Sequence, residues 1–306
     1  MNDLFLFTKE LGFSAEQTER LRTAYEALRT VGGDIALSEA VRDFFPIGSI
    51  TGDEVLVRMR PYCEAAGVHE HTAAALYVLA NFLAQREEYV AAYGEEIFLD
   101  SARDLLYKVR ELETADGITG TCSLNWFFNF LRRELFALGR LEFHVVGFNY
   151  PALTIGEHTI REGDPVIKVH IPSSGRMTGE ECLDAYRRAY RHFRHRFSDD
   201  VIPFICYTWL LDPEISEKIP DGGIAQFASA YTTFDSTVHE DDDDVWRVFG
   251  KRYTDYSLLP RGNRLQRLLA DRLQAGGHFV SGRGAFFHDG ESVVNTGAPF
   301  TLTRAD

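Results

Sequence analysis

The chain has 306 residues, 45% of them hydrophobic and 25% charged, with a formal net charge of −14. That is length enough for two domains or one large one with a sizeable core, and the acidity excludes broad, sequence-independent nucleic-acid binding, which needs a basic surface. The apolar run AAALYVLANFLA from Ala73 falls short of the about 20 residues a membrane span needs. Acidic Asp3 stands where a signal peptide is basic. Cys63, Cys122, Cys182 and Cys206 lie far apart with no C-x-x-C pair, which argues for reduced, mostly buried thiols rather than a zinc ribbon or disulfide framework. The expectation is a cytoplasmic protein with no metal, no nucleic-acid partner and no membrane span.

The N-terminal third reads as helices. Ser14 and Gln17 form a capping-box pattern opening a helix through Thr30, and Gly32–Gly33 ends it. Ser38 is expected to cap a short helix stopped by Pro46. Thr51–Gly52–Asp53 begins another, through Ala66. From Glu70, apolar residues at helical spacing run to Tyr93 before Gly94, and a further helix starts near Glu95 and breaks at Asp116–Gly117. His69–Glu70–His71 has two potential metal ligands, but with no third nearby they read as the exposed start of a helix.

Ser123 is expected to cap a single helix, NWFFNFLRRELFALG, stopped at Gly139. LEFHVVGF alternates as a strand, with Glu142, His144 and Val146 on one face. LTIGEHTI reads as a hairpin, and VIKVHIP as a strand that puts Lys168 and His170 on one face. After the turn SSGRMTGE, Thr178 caps a helix that buries Cys182, Tyr186 and Phe193 while showing an arginine-rich face. That face is expected to be solvated or paired within the chain, the acidic run from Glu240 to Asp244 being one partner. PFICYTWLL reads as an interior strand, Asp212–Pro213 opens a short helix, and the stretch from Ile224 has a strand-like second half. Pro260–Arg261–Gly262–Asn263 caps a last helix and HFVSGRGAFFH is a final strand or hairpin; the tail after Asn295 carries no clear signal.

Taken together, FALGRLEF, GDPVIKVHIP, CYTWLLDP and LPRGNRLQRLLADRL resemble a two-domain bacterial family with an N-acyltransferase N-terminal helical domain and a GNAT-like C-terminal domain. The resemblance covers most of the chain. It implies an α+β protein, with an all-helical domain over 1–122 and a GNAT-like mixed β-sheet domain with flanking helices over 123–306. In that family type, acyl-CoA or acetyl-CoA lies between two splayed strands. Its pyrophosphate meets a loop of pattern Gln/Arg-x-x-Gly-x-Gly/Ala. Here Arg176 and Gly179 fit that pattern, and Glu181 stands where Gly or Ala belongs. The cofactor-binding expectation is therefore Gly175, Arg176, Thr178 and Gly179, with Glu181 repelling phosphate unless it turns away.

Acyl transfer to an amine needs a base for the amine and an acid for the departing thiolate. Glu142 and His170 are the candidate bases and Tyr207 the candidate acid. The implied activity is transfer of an acyl group from acyl-CoA to an amine of a small molecule or peptide. The rival reading is a catalytically inactive GNAT-like binding module, its strand gap filled by side chains such as Trp209 or Met177. A third has the helical lobe making a homodimer. No G-x-S-x-G elbow or P-loop occurs.

Overall fold

In the computed structural model, residues 2–45, 47–241 and 244–303 are described. The chain divides into two units, Met1–Ala137 and Leu138–Asp306.

The first unit is helical: α1 (Asn2–Glu10), α2 (Ala15–Thr30), α3 (Gly33–Asp43), α4 (Gly52–Ala66), α5 (Glu70–Tyr93), α6 (Glu95–Asp116) and α7 (Leu124–Leu131). Ser14 and Thr51 each close a full capping box, with Gln17 and Glu54 respectively, so the predicted starts of α2 and α4 hold. α5 packs against six other helices. Three of its buried polar side chains form a chain: Asn81 donates to the Tyr77 hydroxyl at 3.1 Å and Gln85 donates to Asn81 at 2.6 Å. His69 caps α5, its Nδ1 accepting the His71 N–H at 3.1 Å, which gives the His-Glu-His stretch a structural role.

Two expectations in this unit are corrected. Ser38 caps nothing; it lies in the middle of α3, its hydroxyl donating to the Asp34 carbonyl, because the helix already starts at Gly33. Pro46, its expected stop, lies outside the described residues. The helix expected from Ser123 to Gly139 ends at Leu131, and the sequence resumes as a strand, β1 (Leu135–Leu138). Arg133 takes the left-handed conformation, φ 60. Its N–H reaches Phe130 O at 2.9 Å, and that of Glu134 reaches Asn129 O at 3.0 Å. This is the Schellman pattern on a residue other than glycine. An ion pair to Glu88 and the face of Tyr89 hold the Arg133 side chain in place.

The second unit contains β2 (Leu141–Gly147), β3 (Ala152–Ile155), β4 (His158–Ile160), β5 (Pro165–His170), α8 (Gly179–Phe193), β6 (Ile202–Thr208), α9 (Pro213–Lys218), α10 (Gly223–Ala228), β7 (Thr232–His239), α11 (Val245–Phe249), α12 (Arg264–Gln274), β8 (Phe279–His288) and β9 (Phe300–Thr303). The main sheet runs in the order β1-β2-β5-β6-β8-β7, and β4-β3-β9 form a second, small sheet. β5 and β6 pair in parallel, with α8 as their crossover. The tail that gave no signal supplies β9, and the glycine-containing stretch HFVSGRGAFFH is one long strand. Gly284 is required there, since a Cβ would stand 2.8 Å from Leu211 and 2.9 Å from Tyr231.

The two faces of the main sheet differ in chemistry. Toward α8 it presents Phe143, Phe204 and Phe286, whose rings surround Tyr186 at 6.4, 5.9 and 4.7 Å. The other face is apolar only where the small sheet covers it, through Leu153, Ile155, Val166, Ile205, Ala285 and Phe287.

His288 closes the α8 side. It is fully buried, its Nδ1 accepts the Gly290 N–H at 2.9 Å, and the ring lies 5.9 Å from that of Phe204. Burial pushes its pKa from 6.5 down to about 4, against the pull of Asp289. The folded ring is therefore neutral where the unfolded ring binds a proton, so stability is complete above pH about 6.5 and declines as pH falls toward about 4. At pH 5, unfolding of the wild type should take up about one more proton than unfolding of His288→Gln. Calorimetry in buffers of different ionisation enthalpy measures this; equal uptake would contradict it.

Candidate functional site

The β5–β6 ladder is short. Its parallel register covers Ile167↔Phe204 and Lys168↔Ile205, although β5 continues to His170 and β6 to Thr208. Beyond those pairs the parallel ladder ends. At that point the Cys206 thiol donates to the Val169 carbonyl at 3.4 Å. Burial pushes that thiol up to about 12, so it is no nucleophile. Tyr231 reaches the same thiol, and its hydroxyl lies 3.1 Å from that of Tyr186. Trp209 is engaged elsewhere, its ring 6.1 Å from Phe279 in the cluster around α12.

On the face away from α8 the sheet brings two of the three candidate catalytic residues together, while the third, Tyr207, lies on the same face but is in contact with His239 and Arg283. Glu142 and His170 are direct cross-strand partners on β2 and β5. Glu142 is only 2% exposed. His170 and His144 rings stack with centroids 4.9 Å apart, and one donates to the other across 3.2 Å between Nε2 and Nδ1. Burial, aided by its cross-strand neighbour Lys168, pushes His144 down to about 4, so near neutral pH it carries no charge. Tyr207 follows Cys206 on β6 with the opposite facing, and is 40% exposed. His144 stood on the predicted strand face, but its bond to His170 depends on the register of two strands that the sequence does not specify.

The opposite side of the sheet at this end belongs to the start of α8. Thr178 caps the helix, and Glu181 turns back onto it: its carboxylate accepts the Thr178 N–H at 2.9 Å and the hydroxyl at 2.7 Å. These bonds hold the Glu181 carboxyl below its usual range. The T-x-x-E spacing was the signal for this box. The Gly179 N–H donates to the Gln226 carboxamide oxygen at 3.0 Å. Gly175 and Arg176 lie in an exposed loop, and Arg140 spans that loop from behind. The Arg140 guanidinium donates to the carbonyls of Pro172 at 3.1 Å, Gly175 at 2.8 Å and Arg176 at 3.4 Å. Nothing local in the sequence marks Arg140, which lies 35 residues before Gly175. A cleft of about 600 Å³ opens at this end between α8 and α10, walled by Cys182, Leu183, Tyr186, Phe227 and Ala230.

The arginine-rich face of α8 is partnered within the unit. Arg188 pairs with Asp184 at 2.7 Å, Arg194 with Asp200, and Arg187 donates to the Glu291 carbonyl at 2.8 Å. Two members of the acidic run, Asp242 and Asp243, lie outside the described residues. Among the described residues no group of three or more His, Cys, Asp or Glu is gathered to hold a metal, and no helix is long and apolar enough to cross a membrane.

Comparison with known proteins matches this geometry to one fold. A crystal structure of an acyltransferase in complex with decanoyl-CoA and teicoplanin superposes with a TM-score of 0.68 at 20% identity, covering 91% of this chain and 85% of that one. An acyltransferase in complex with CoA and 10C-teicoplanin gives 0.60 at 19% identity, covering 92% and 98%. At such identity the likeness establishes the fold. No curated protein matches the chain. Residues 135–286 match the model of the GNAT-like C-terminal domain, and a helical region lies ahead of them, the arrangement of the two-domain family that the sequence motifs resemble.

Proposed function

We propose that the chain transfers an acyl group from acyl-CoA, acetyl-CoA included, to an amine of a small molecule or peptide. The observation that carries this reading is the early end of the β5–β6 ladder next to a sheet face holding Glu142, His170 and Tyr207. The acyltransferases of the same fold, bound to decanoyl-CoA and to CoA, support the donor; the teicoplanin bound beside them supports a large amine acceptor.

In this reading the pantetheine arm enters through the cleft between α8 and α10 and crosses the opening, bringing the thioester to the polar face. Gly175 and Arg176 meet the pyrophosphate, as does Gly179 through its backbone N–H at the start of α8; Thr178, whose N–H and hydroxyl are given to Glu181, joins them only by releasing that carboxylate. Gln226 cedes the Gly179 N–H to a phosphate oxygen. Glu181 stays ionised while it is bound to Thr178, so a pyrophosphate at this helix start has to be held against that charge. His170 or Glu142 takes the amine proton, directly or through water. The nitrogen lone pair then attacks the carbonyl carbon. As the tetrahedral adduct collapses, the C–S bond breaks and the sulfur takes the proton of the Tyr207 hydroxyl. With the Nδ1 of neutral His144 accepting the His170 Nε2–H, the nitrogen of His170 that serves as base is Nδ1.

Titration calorimetry with acetyl-, octanoyl- and decanoyl-CoA should show stoichiometric binding of at least one, and no heat with any of them would sink the proposal. Arg140→Met removes the brace behind the phosphate loop. It should weaken acyl-CoA binding about tenfold, or about 1.4 kcal/mol, while leaving thermal stability within a few degrees. Unchanged affinity would show that the braced loop has no part in holding the donor.

A further inference from the structure

The surroundings of Tyr207 are built in a way that the acyl-transfer reading above does not by itself explain. The phenol ring lies under the Arg283 guanidinium, 4.5 Å from its centroid. Arg283, its direct partner across β6 and β8, is fixed in turn by Asp235 at 2.7 Å and by the Thr237 hydroxyl at 2.8 Å, both on β7. A β-bulge between Thr233 and Asp235 re-aims this part of β7. The Tyr207 hydroxyl lies 3.3 Å from His239 Nε2, and that nitrogen lies 2.9 Å from the hydroxyl of Ser281. Ser281 is buried, so the imidazole is anchored from inside the sheet. A tyrosine that is 40% exposed on a sheet face ordinarily sweeps its hydroxyl through a wide arc. This one is clamped at the ring and at the hydroxyl by groups from two other strands.

We infer that His239, anchored by Ser281, is a positioning residue: it fixes the Tyr207 hydroxyl at the mouth of the β5–β6 opening so that the hydroxyl can deliver its proton to the departing sulfur. The inference rests on the acyl-transfer reading. The chemistry balances. When the C–S bond breaks, its electron pair goes to sulfur and the sulfur takes the hydroxyl proton of Tyr207. The resulting phenolate regains a proton from solvent, to which the side chain is open. His239 touches neither donor nor acceptor; it acts through Tyr207 alone. Arg283 sets the plane of the ring and His239 the direction of the O–H bond, and misplacing a reacting group by about 1 Å costs on the order of 100-fold in rate.

The test is a double-mutant cycle on the full chain, with kcat and the KM for acyl-CoA measured for wild type, Tyr207→Phe, His239→Ala, His239→Gln and the Tyr207→Phe/His239→Ala double variant. His239→Ala should lower kcat about 10- to 100-fold with KM within twofold. His239→Gln, which keeps a hydrogen-bonding group, should recover most of the loss, and the double variant should be no slower than Tyr207→Phe. Multiplicative losses in the double variant, a change confined to KM, or wild-type turnover in His239→Ala would overturn the inference. Failure of the acyl-transfer reading would appear separately, as absent acyl-CoA binding in calorimetry. Independently of turnover, the His239 Nε2 resonance should move in Tyr207→Phe, and an unmoved resonance would refute the coupling.

Discussion

Two neighbouring parallel strands ordinarily hydrogen-bond along their shared length, because each backbone N–H and C=O removed from water needs a partner. In this chain β5 and β6 keep that rule for two residue pairs and then abandon it. The Val169 carbonyl, left without a strand partner on β6, accepts the Cys206 thiol instead. A thiol is a weak donor. A ligand that brings an amide N–H to this place offers Val169 a stronger bond than the thiol it displaces. The cleft behind the opening, the loop at its edge and the polar face in front of it all take their meaning from this interruption.

The sheet divides two environments at the opening. On the α8 side lies an aromatic slab in which Phe204 and Phe286 stack at 4.8 Å and Tyr186 fills the space above them. Burial there raises the pKa of the acids, Cys182 to about 11, Cys206 to about 12, and Tyr186 and Tyr231 well above the ordinary phenol value, and lowers that of His288. None of these groups ionises near neutral pH, which makes that side a packing and binding surface. On the other side are a carboxylate, a stacked imidazole pair and a clamped phenol. In the proposed reaction donor binding and proton transfer would be separated by the thickness of one sheet.

Much of this was legible in the sequence because it is local. The alternation in LEFHVVG and VIKVHIP puts Glu142 and His170 on faces that later prove to be shared, and Thr178 followed by Glu181 is a helix start readable by eye. What stayed hidden is long-range. Arg140 finds the 172–176 loop only after the chain has folded, and Arg283, Asp235 and His239 meet Tyr207 through the register of three strands. The mistaken helix over Leu135–Leu138 has a different cause: its residues suit a helix well, and only the left-handed turn at Arg133, a side chain rarely found there, ends it.

The central claim is geometric, and a crystal structure with a nonhydrolysable acyl-CoA thioether tests it most directly. The account predicts density for the sulfur between Val169 and Cys206, the acyl carbonyl on the side of Glu142, His170 and Tyr207, and phosphate oxygens near Arg176 and the start of α8. A ligand seated elsewhere, or one lying wholly on the α8 side with β5 and β6 still bridged by the Cys206 thiol, would contradict it.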